Sequence, residues 1–462
     1  METYATNNLF SSPCVVVRFD PRTLAVAGKH SSFMIPMTNC LAIGFYMLFT
    51  ASLHRAVTSF SIPRSLLRVH RNLSDKTRMM ASSVPTPPSS SPYALSPEMT
   101  RQTPKHVVIA GAGVIGTTTA YYLAKEFGIA STIVDPTGRI APAASGKAGG
   151  FLALDWNDYS PIGPLARRSF LLHQTIANDL GPSTIQYRRL TCSAISVGGS
   201  KLQERPKGKK LEGIEWAQGT TVMDVRSLGD EETIAQVHPK LFCERLFAKT
   251  QELVPETSLA RGKVIGAEYD PDNKGRLVGA KLEDGTIVAG DALLYACGPW
   301  TANIMTGVKY HSVILPTPTL LSQCVFFSGC GDPEVYVRPD QTAYCTGFPD
   351  APINVQEQPG EEEIRMDAVQ KIREAVKKAS NLDAEPRTIQ SCYLPSTPDG
   401  IPLMGPLGNG CFAAAGHSCW GILLGPASGE SMAHLIASGN SPHVNLAPFA
   451  PSRYGRVLKM VP

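Results

Sequence analysis

The sequence lacks the paired cysteines that mark structural zinc sites and disulfide scaffolds. Its 462 residues include 11 cysteines, but no two of them form a Cys-x-x-Cys pair, and an odd number cannot be fully paired within one chain. We therefore expect no metal site, no disulfide framework and a reducing compartment.

A strong charge of either sign is also missing. The net charge is +4, but residues 1–100 carry nine Lys or Arg against four Asp or Glu, which leaves −1 for the remainder. Because nucleic-acid binding requires a basic patch, we expect no nucleic-acid partner. With 43% hydrophobic and 18% charged residues, the chain is long enough for two globular domains.

Residues 1–104 are poor in acidic residues and rich in Ser, Thr and Arg, and they contain a Pro- and Ser-rich run at 82–97. This composition is typical of an organelle transit peptide followed by a flexible linker. Residues 31–53 carry no charged side chain and are long enough to cross a bilayer. We predict a targeted precursor, with the plastid as destination and the mitochondrion or cytoplasm as alternatives. A retained membrane anchor at 31–53 and a poorly ordered extension remain alternatives to the transit peptide.

The strongest positive signal is a strand, a glycine-rich turn and a helical pattern in succession. Gly111, Gly113 and Gly116 have the Gly-x-Gly-x-x-Gly spacing directly after an apolar strand. These glycines allow a tight turn, close approach to a pyrophosphate and close packing of helix on strand, while the free N–H groups at the helix start face the anion. Asp135 ends the second strand, 19 residues after Gly116, where a carboxylate can bind a ribose hydroxyl. The segment predicts a dinucleotide site.

The remaining pattern predicts two interleaved sheets. After Asp135, a loop of small residues at 136–150 keeps a second section of backbone close to the nucleotide. Helical periodicity is present at 164–180, 239–254, 361–380 and 426–438. Strand patterns are present at 263–267, 279–282, 286–288, 291–301 (where the strand ends in a glycine turn), 311–350 and 410–416. We expect an α/β fold in which an antiparallel substrate sheet, covered by the 361–380 helix, is inserted into the nucleotide-binding part.

Five short blocks occur in a fixed order along the chain, at residues 111–116, 144–150, 296–300, 397–402 and 416–422. In that order they resemble motifs of the FAD-dependent amino-acid oxidase (DAO) family, which includes D-amino-acid oxidase, glycine oxidase and sarcosine oxidase. The resemblance covers residues 104–440. Within the family, the chain is most similar to a plant and fungal branch related to sarcosine oxidase and dehydrogenase and to glycine oxidase.

The resemblance implies a Rossmann-like FAD-binding domain of the glutathione-reductase-2 type and an interleaved α+β substrate domain. We assign residues 105–190, 231–310 and 391–440 to the FAD-binding domain, and residues 191–230 and 311–390 to the substrate domain. Residues 441–462 form a C-terminal tail.

The resemblance also implies tightly bound FAD. The residues expected to contact it are Gly111, Gly113, Val114, Ile115 and Gly116 at the pyrophosphate, Asp135 and Pro136 at the ribose, Ser145, Gly146, Lys147, Gly149 and Gly150 over the phosphates or the edge of the isoalloxazine, Val264 at the adenine, Ala296, Cys297 and Gly298 along the cleft, and Gly416, His417, Gly421 and Ile422 beside the flavin ring. The helix that follows would direct its positive N-terminal end toward the charge on reduced flavin.

Family members oxidise a C–N bond by moving hydride to the flavin, so the protein chiefly orients the substrate. Arg338, on a predicted strand, is our candidate for binding a substrate carboxylate, because a guanidinium matches two carboxylate oxygens. The alternative is a surface ion pair. Tyr336 and Tyr344 are candidates for the walls of the same pocket, or else pack within the sheet.

His417 is a candidate for contacting flavin or assisting proton removal near neutral pH. A structural histidine is the alternative, while Trp420 is assigned to packing. Cys392 precedes Pro398-Asp399 with the spacing of the cysteine that holds flavin covalently in monomeric sarcosine oxidase, so a thioether and a buried free cysteine are both open. Leu394 stands where many relatives carry Arg, so carboxylate binding of their kind is in doubt, and a neutral or bulky amine is an alternative to a small amino acid as substrate.

We therefore predict an FAD-dependent oxidoreductase that acts on a small-molecule amine or amino acid, with oxygen or an electron carrier as the final acceptor. Two alternatives stay open: a flavin-binding protein with a structural, sorting or regulatory role, and an oxidase domain in nucleoside modification.

Overall fold

The β-α-β unit predicted at residues 106–135 opens the described part of the chain. A computed structural model describes residues 102–198, 214, 216–217, 222–273 and 275–460, all within one compact unit at 80–462. The predicted transit peptide and the apolar stretch at 31–53 lie outside the described residues. Within those ranges, no helix is long and apolar enough to cross a membrane, and no group of three potential ligands could hold a metal ion.

Six helices and nineteen strands make up this part of the chain. The helices are α1 (Val114–Phe127), α2 (Ala144–Lys147), α3 (Gly163–Leu180), α4 (Pro239–Leu253), α5 (Met366–Ala379) and α6 (Gly421–Ser438). The strands are β1 (His106–Ala110), β2 (Ala130–Asp135), β3 (Phe151–Ala153), β4 (Arg188–Arg189), β5 (Thr191–Val197), β6 (Val222–Gly229), β7 (Ile234–Gln236), β8 (Ser258–Arg261), β9 (Val264–Tyr269), β10 (Leu277–Leu282), β11 (Ile287–Ala289), β12 (Ala292–Tyr295), β13 (Thr306–Pro316), β14 (Gln323–Ser328), β15 (Glu334–Arg338), β16 (Thr342–Gly347), β17 (Thr388–Ser396), β18 (Leu403–Gly408) and β19 (Cys411–Ala415).

The first sheet has six strands in the order β18-β19-β12-β1-β2-β8. Its pairs are parallel except β18 with β19. The central strand β1 is a continuous apolar run, buried from Val107 to Ala110, as expected where helices or other elements cover both faces of a parallel sheet. Strand β12 pairs with β1, and β19 pairs with the other edge of β12, so the C-terminal end of β12 lies next to the glycine turn.

The second large sheet has seven strands in the order β17-β13-β16-β15-β14-β5-β6. It is antiparallel, as predicted, except for β5 and β14, which pair in parallel with Thr191 opposite Gln323. These two strands are far apart in sequence, so the long connection that a parallel pair requires is available. Helix α5 covers this sheet, and its Ile372 and Val376 are buried in the same core cluster as Val313.

Two small sheets complete the fold. Strands β9, β10 and β11 form an antiparallel sheet, in which Asp284-Gly285 makes the turn between the strand patterns predicted at 279–282 and 286–288, and Gly285 has a positive φ of 88°. Strands β3, β7 and β4 form the other small sheet.

The closing helix begins five residues earlier than predicted. Its first residue is Gly421, and Pro426 lies inside it, although proline cannot donate the i to i−4 hydrogen bond within a helix. The carbonyl that loses this donor is that of Ile422, and it accepts a hydrogen bond of 2.8 Å from Nε2 of His173 on α3. A side chain about 250 positions away thus replaces the missing backbone bond, which no local pattern could indicate.

The two large sheets are interleaved in sequence, as expected. Strand β17 belongs to the seven-stranded sheet, whereas the predicted boundary at residue 391 divides it between the domains. The segment 306–310 likewise forms the start of β13. The domain division itself stays a prediction.

Candidate cofactor and substrate site

The glycine turn, residues Gly111–Gly116, connects β1 to α1. Gly111 has a φ of +107°, and a Cβ atom on it would lie 2.4 Å from the carbonyl oxygen of Ala296. Its N–H donates to the oxygen of Val134 at 2.8 Å. The turn is therefore held between β2 and the end of β12, and only glycine fits there.

The two later glycines bring backbone into close contact. A Cβ on Gly116 would lie 2.1 Å from the oxygen of Gly111, so α1 packs directly against the turn, as predicted. Gly113 faces Ser145, whose Oγ would be 3.1 Å from a Cβ there and accepts the first N–H of α1, from Val114, at 2.9 Å. The positive N-terminal end of α1 is suited to bind an anion, and the hydroxyl oxygen of Ser145 already lies there.

Asp135 lies at the end of β2, beside the turn. Its carboxylate is buried and accepts hydrogen bonds from the N–H of Ala112 at 3.2 Å and from the N–H and hydroxyl of Thr137 at 3.0 and 2.7 Å. A cavity of about 380 Å³ opens next to it and is lined by Pro136, Thr137, Arg139, Arg261, Gln358, Pro359 and Glu361. This is the position expected for the adenosine end of a dinucleotide.

The small-residue loop crosses the same turn. The N–H of Ala141 donates to the oxygen of Ala112 at 2.9 Å, and a Cβ on Gly146 would lie 2.1 Å from the oxygen of Ala141. Lys147 forms an ion pair with Glu362, whose side chain is fully buried. The loop thus joins the nucleotide side to the substrate side, and this ion pair was not predicted because its partners are 215 positions apart.

The next two glycines have crowded surroundings. A Cβ on Gly149 would lie 2.1 Å from the ring of Tyr336, and one on Gly150 would lie 1.9 Å from the oxygen of Val237. The structure therefore brings the Gly149-Gly150 loop against Tyr336 of the seven-stranded sheet on one side and against the segment after β7 on the other.

The segment after β12 faces the turn from the other side. The N–H of Ala296 donates to the oxygen of Ala110 at 2.8 Å, and Sγ of Cys297 donates to the same oxygen at 3.3 Å. Burial raises the pKa of Cys297 to about 12, so its thiol stays protonated. Gly298 has a positive φ of 58°, and Val264 packs in the same apolar cluster as Ala110. Ala296 and Cys297 thus border the glycine turn, while the contacts of these two residues, Gly298 and Val264 with FAD stay predictions.

Helices α1 and α6 pack in parallel. A Cβ on Gly425 would lie 2.6 Å from Val114, and one on Gly429 would lie 2.4 Å from Thr118. The second contact lies four residues after the first on both helices, so the two helices run in the same direction. The hydroxyl of Thr118 donates to the oxygen of Gly425 at 2.9 Å. Both helix N-termini therefore point the same way, toward the ends of β1 and β19, and their positive ends add.

The segment before α6 contains His417, for which two roles were open. Gly416 has a φ of +81° beside Thr397, and Gly421 and Ile422 begin the helix. The ring of His417 is buried, its Nε2 lies 3.0 Å from Oγ of Ser428, and burial lowers its pKa to about 3. A neutral histidine of this kind is a poor base near neutral pH, so these features favour the structural alternative.

Arg338 is not a surface residue. It is 6% exposed, one of its Nη atoms donates to the oxygen of Ala148 at 3.0 Å, and its Nε has no hydrogen-bond partner. Burial lowers its pKa, and no carboxylate of the described residues forms an ion pair with it. The nearby Asp340 is exposed and accepts from the hydroxyl of Thr342 at 2.6 Å. The surface ion pair is thereby excluded.

Tyr344 and Tyr336 continue from Arg338. The guanidinium lies 5.3 Å from the centre of the Tyr344 ring, and the rings of Tyr344 and Tyr336 are stacked with centroids 5.7 Å apart. The hydroxyl of Tyr336 donates to Glu334. Burial raises the pKa of both tyrosines, so neither ionises near neutral pH.

Cys392 lies on β17 opposite Tyr310. It is buried, and burial, with a contribution from Glu362, raises its pKa to about 12. This environment suits an unreactive core thiol, and a covalent tether to flavin stays a prediction. Leu394, two residues further along β17, is half-buried.

Comparison with known proteins agrees with this arrangement. Residues 106–435 match the family model described as FAD dependent oxidoreductase. The chain is 30% identical to the oxidoreductase C1F5.03c of Schizosaccharomyces pombe, over 74% of this chain and 96% of that protein. It is 25% identical to the glycine oxidase of Pseudomonas putida, over 75% of this chain and 98% of that protein. The crystal structure of glycine oxidase from Geobacillus kaustophilus shares the fold with a TM-score of 0.63 at 22% identity, covering 75% of this chain and 98% of that chain.

Proposed function

Because the chain belongs to the FAD-dependent oxidoreductase (DAO) family, we propose that it oxidises the C–N bond of an amino acid. The family uses FAD, which when bound supplies the hydride acceptor. The contribution of this chain is to hold the cofactor and to orient the donor carbon against it.

The residues present fit this cofactor. The glycine turn, the first N–H groups of α1 and the hydroxyl of Ser145 form an anion site, and the carboxylate of Asp135 lies at its edge, next to the cavity lined by Pro136 and Thr137. These groups supply donors for a pyrophosphate and an acceptor for a ribose hydroxyl.

The proposal depends on the observation that Arg338 is buried and forms no ion pair with any carboxylate of the described residues. A charge removed from water without an ion-pair partner costs several kcal/mol, and among the described residues this guanidinium donates one hydrogen bond, to the carbonyl of Ala148. A substrate carboxylate would supply the missing counterion through a two-pronged hydrogen bond. Arg338 on β15 would thereby bind the substrate carboxylate, which the apolar side chain of Leu394 on β17 cannot do.

Neither candidate histidine is a base near neutral pH. Burial lowers the pKa of His238 to about 4, and His417 is neutral as described above. The residues of this site would then bind and orient the substrate, and the Gly149-Gly150 loop and Tyr336 would exclude water from the reacting carbon.

The test is anaerobic reduction of the purified, yellow holoprotein by amino acids and by the matching amines that lack a carboxylate. Arg338→Leu is expected to lower the second-order rate constant for flavin reduction on the order of 100-fold for amino acids, and far less for the amines. Arg188→Leu is the matched control, because Arg188 donates to backbone carbonyls of Leu321 and Val337 and should affect both substrate sets alike.

An equal loss for amino acids and amines in Arg338→Leu would contradict the role of Arg338. A holoprotein that stays yellow with every compound would instead favour a flavin bound for structure or regulation, and reduction only by nucleoside-linked amines would favour nucleoside modification. Oxygen consumption by the reduced protein then separates an oxidase from a dehydrogenase.

A further inference from the structure

Beyond Arg338, six aromatic side chains form a continuous cluster that we call the aromatic wall. Its members are Phe151, Trp156, Phe326, Tyr336, Tyr344 and Trp420. Three come from the seven-stranded sheet, Phe151 lies on β3 of a small sheet, and the two tryptophans lie outside the strands. Of these six, the sequence pattern singled out only the two tyrosines and Trp420.

The rings follow one another in order from the guanidinium. Tyr336 is stacked on Phe151 with a centroid distance of 5.4 Å and an angle of 13° between the ring planes. Phe151 contacts Trp156 at 5.1 Å and Phe326 at 5.4 Å. Trp156 then contacts Trp420 at 6.4 Å, edge to face. The distances are those of direct aromatic packing.

Close backbone packing fixes this order. Gly149 lets the loop before Phe151 lie against the ring of Tyr336. Trp156 directs its polar atom inward, since Nε1 donates to the oxygen of Leu228 at 3.3 Å. Trp420 immediately precedes α6, within the 416–422 block that the family resemblance places beside the flavin ring.

Exposure changes along the wall. Tyr344 and Tyr336, next to Arg338, are 5% and 9% exposed, whereas Phe151, Trp156, Phe326 and Trp420 are all half-buried. Single exposed apolar residues are common, but four partly exposed aromatic rings in mutual contact form a patch, and such patches mark binding sites. The wall therefore offers open apolar surface at the end that is further from the cation.

From this arrangement, with a cation at one end and partly exposed rings at the other, we propose that the substrate is an amino acid with a large apolar or aromatic side chain. Arg338 binds its carboxylate, and its side chain packs on the open part of the aromatic wall. The inference rests on the proposed function and adds the substrate class to it. A buried cation beside adjoining apolar rings complements a molecule that carries a carboxylate at one end and apolar surface at the other. A side chain the size of hydrogen or methyl would leave the four open rings uncovered.

The experiment measures anaerobic flavin reduction of the holoprotein by glycine, alanine, leucine and phenylalanine, the last three as both enantiomers. We expect the second-order rate constant to increase about tenfold to hundredfold from alanine to phenylalanine for one enantiomer, because the larger side chain leaves water on binding. Reduction by glycine or alanine as fast as by phenylalanine would overturn the inference while the proposed function stood. No reduction by any amino acid would overturn both.

Neighbouring residues on β14 provide a matched pair of variants. Phe326 belongs to the aromatic wall, whereas Phe327 is 3% exposed and packs on Trp216 in the core. Phe326→Leu should lower the phenylalanine-to-alanine ratio of rate constants about threefold to tenfold, and Phe327→Leu should leave this ratio unchanged even if it lowers the Tm.

If Phe326→Leu does not yield folded holoprotein, Trp420→Leu provides the same measurement from the other end of the open surface. A ratio that stays at the wild-type value in the folded variant, or that changes equally in Phe327→Leu, would show that the aromatic wall does not contact the substrate side chain.

Discussion

At the glycine turn the backbone makes the contacts, whereas at the aromatic wall side chains make them. Gly111, Gly116 and Gly146 each lie where a Cβ would come within 2.4 Å of a carbonyl oxygen, so that main chain meets main chain. Around Arg338 the contacts are between rings and a guanidinium. A site built from backbone atoms is altered by few substitutions, so it keeps binding the same ligand. A site built from side chains can change its specificity when residues on the same strands are substituted.

The two regions also differ in how their polar groups are satisfied. At the turn, Asp135 and Ser145 already accept hydrogen bonds from neighbouring N–H groups. At the substrate end, Arg338 retains a buried Nε without a partner. We infer that the turn contributes to the stability of the fold before any ligand binds, whereas the substrate end is held ready at a cost in stability.

The largest effect is expected from Gly111→Ala. The new Cβ would lie 2.4 Å from the oxygen of Ala296 at a φ of +107°, so the turn must open and the anion site with it. We expect FAD-free protein, with an affinity for added FAD more than about 100-fold below wild type, measured by flavin fluorescence titration.

Gly128→Ala is the control for backbone strain alone. Gly128 also has a positive φ, of 62°, but nothing lies within 4 Å of its Cβ position. It should cost about 1 kcal/mol of stability and keep its FAD. Equal loss of FAD in both variants would mean that strain, and not the contact with Ala296, determines binding.

The sequence predicted the backbone region far better than the side-chain region, for a physical reason. Gly111, Gly113, Gly116 and Asp135 lie within about 25 residues of one another, so a local pattern suffices to find them, although the contact that requires glycine at 111 is with distant Ala296. Phe151 and Phe326 meet only because two sheets pack together, and nothing in their own surroundings in the sequence indicates it. The same holds for the pairing of Lys147 with Glu362.

Local rules failed at the closing helix, since Pro426 normally begins or breaks a helix. The Nε2 of His173 satisfies the orphaned carbonyl of Ile422, so the helix extends back to Gly421. For Arg338 the sequence indicated the residue type and the strand, but burial without a counterion is a property of the packed structure alone.

Helix α6 packs on α1 at the glycine turn and directly follows Trp420 of the aromatic wall, so acid that destabilises α6 should weaken both regions together. Burial lowers the pKa of His173 to about 4, whereas the unfolded chain takes up this proton near pH 6.5. The stabilising effect is complete above pH 6.5 and is lost as the pH falls toward 4, because only the unfolded state then binds the proton. The free energy of unfolding should fall by about 3 kcal/mol from this residue, and His417 acts in the same direction.

Chemical denaturation at a series of pH values measures this loss, and His173→Gln is the control. Glutamine retains a donor for the carbonyl of Ile422 but does not titrate. The variant should lose less stability than wild type between pH 6.5 and 4. Identical acid sensitivity of the two proteins would assign the loss to other groups and would leave the helix-closing role of His173 unsupported.

The smallest effect has the opposite sign and concerns the substrate end alone. Arg338→Leu removes a desolvated charge and one hydrogen bond to Ala148, and because the desolvation cost is the larger of the two, the ligand-free protein should gain about 1 kcal/mol, a rise of a few degrees in Tm. Arg188→Leu should lower the Tm, since Arg188 donates to Leu321 and Val337. If Arg338→Leu raises the Tm and Arg188→Leu lowers it, the guanidinium of Arg338 serves to bind a ligand and that of Arg188 serves to stabilise the fold. If both changes lowered the Tm equally, Arg338 would be structural, and the contrast between a satisfied turn and an unsatisfied substrate end would no longer hold.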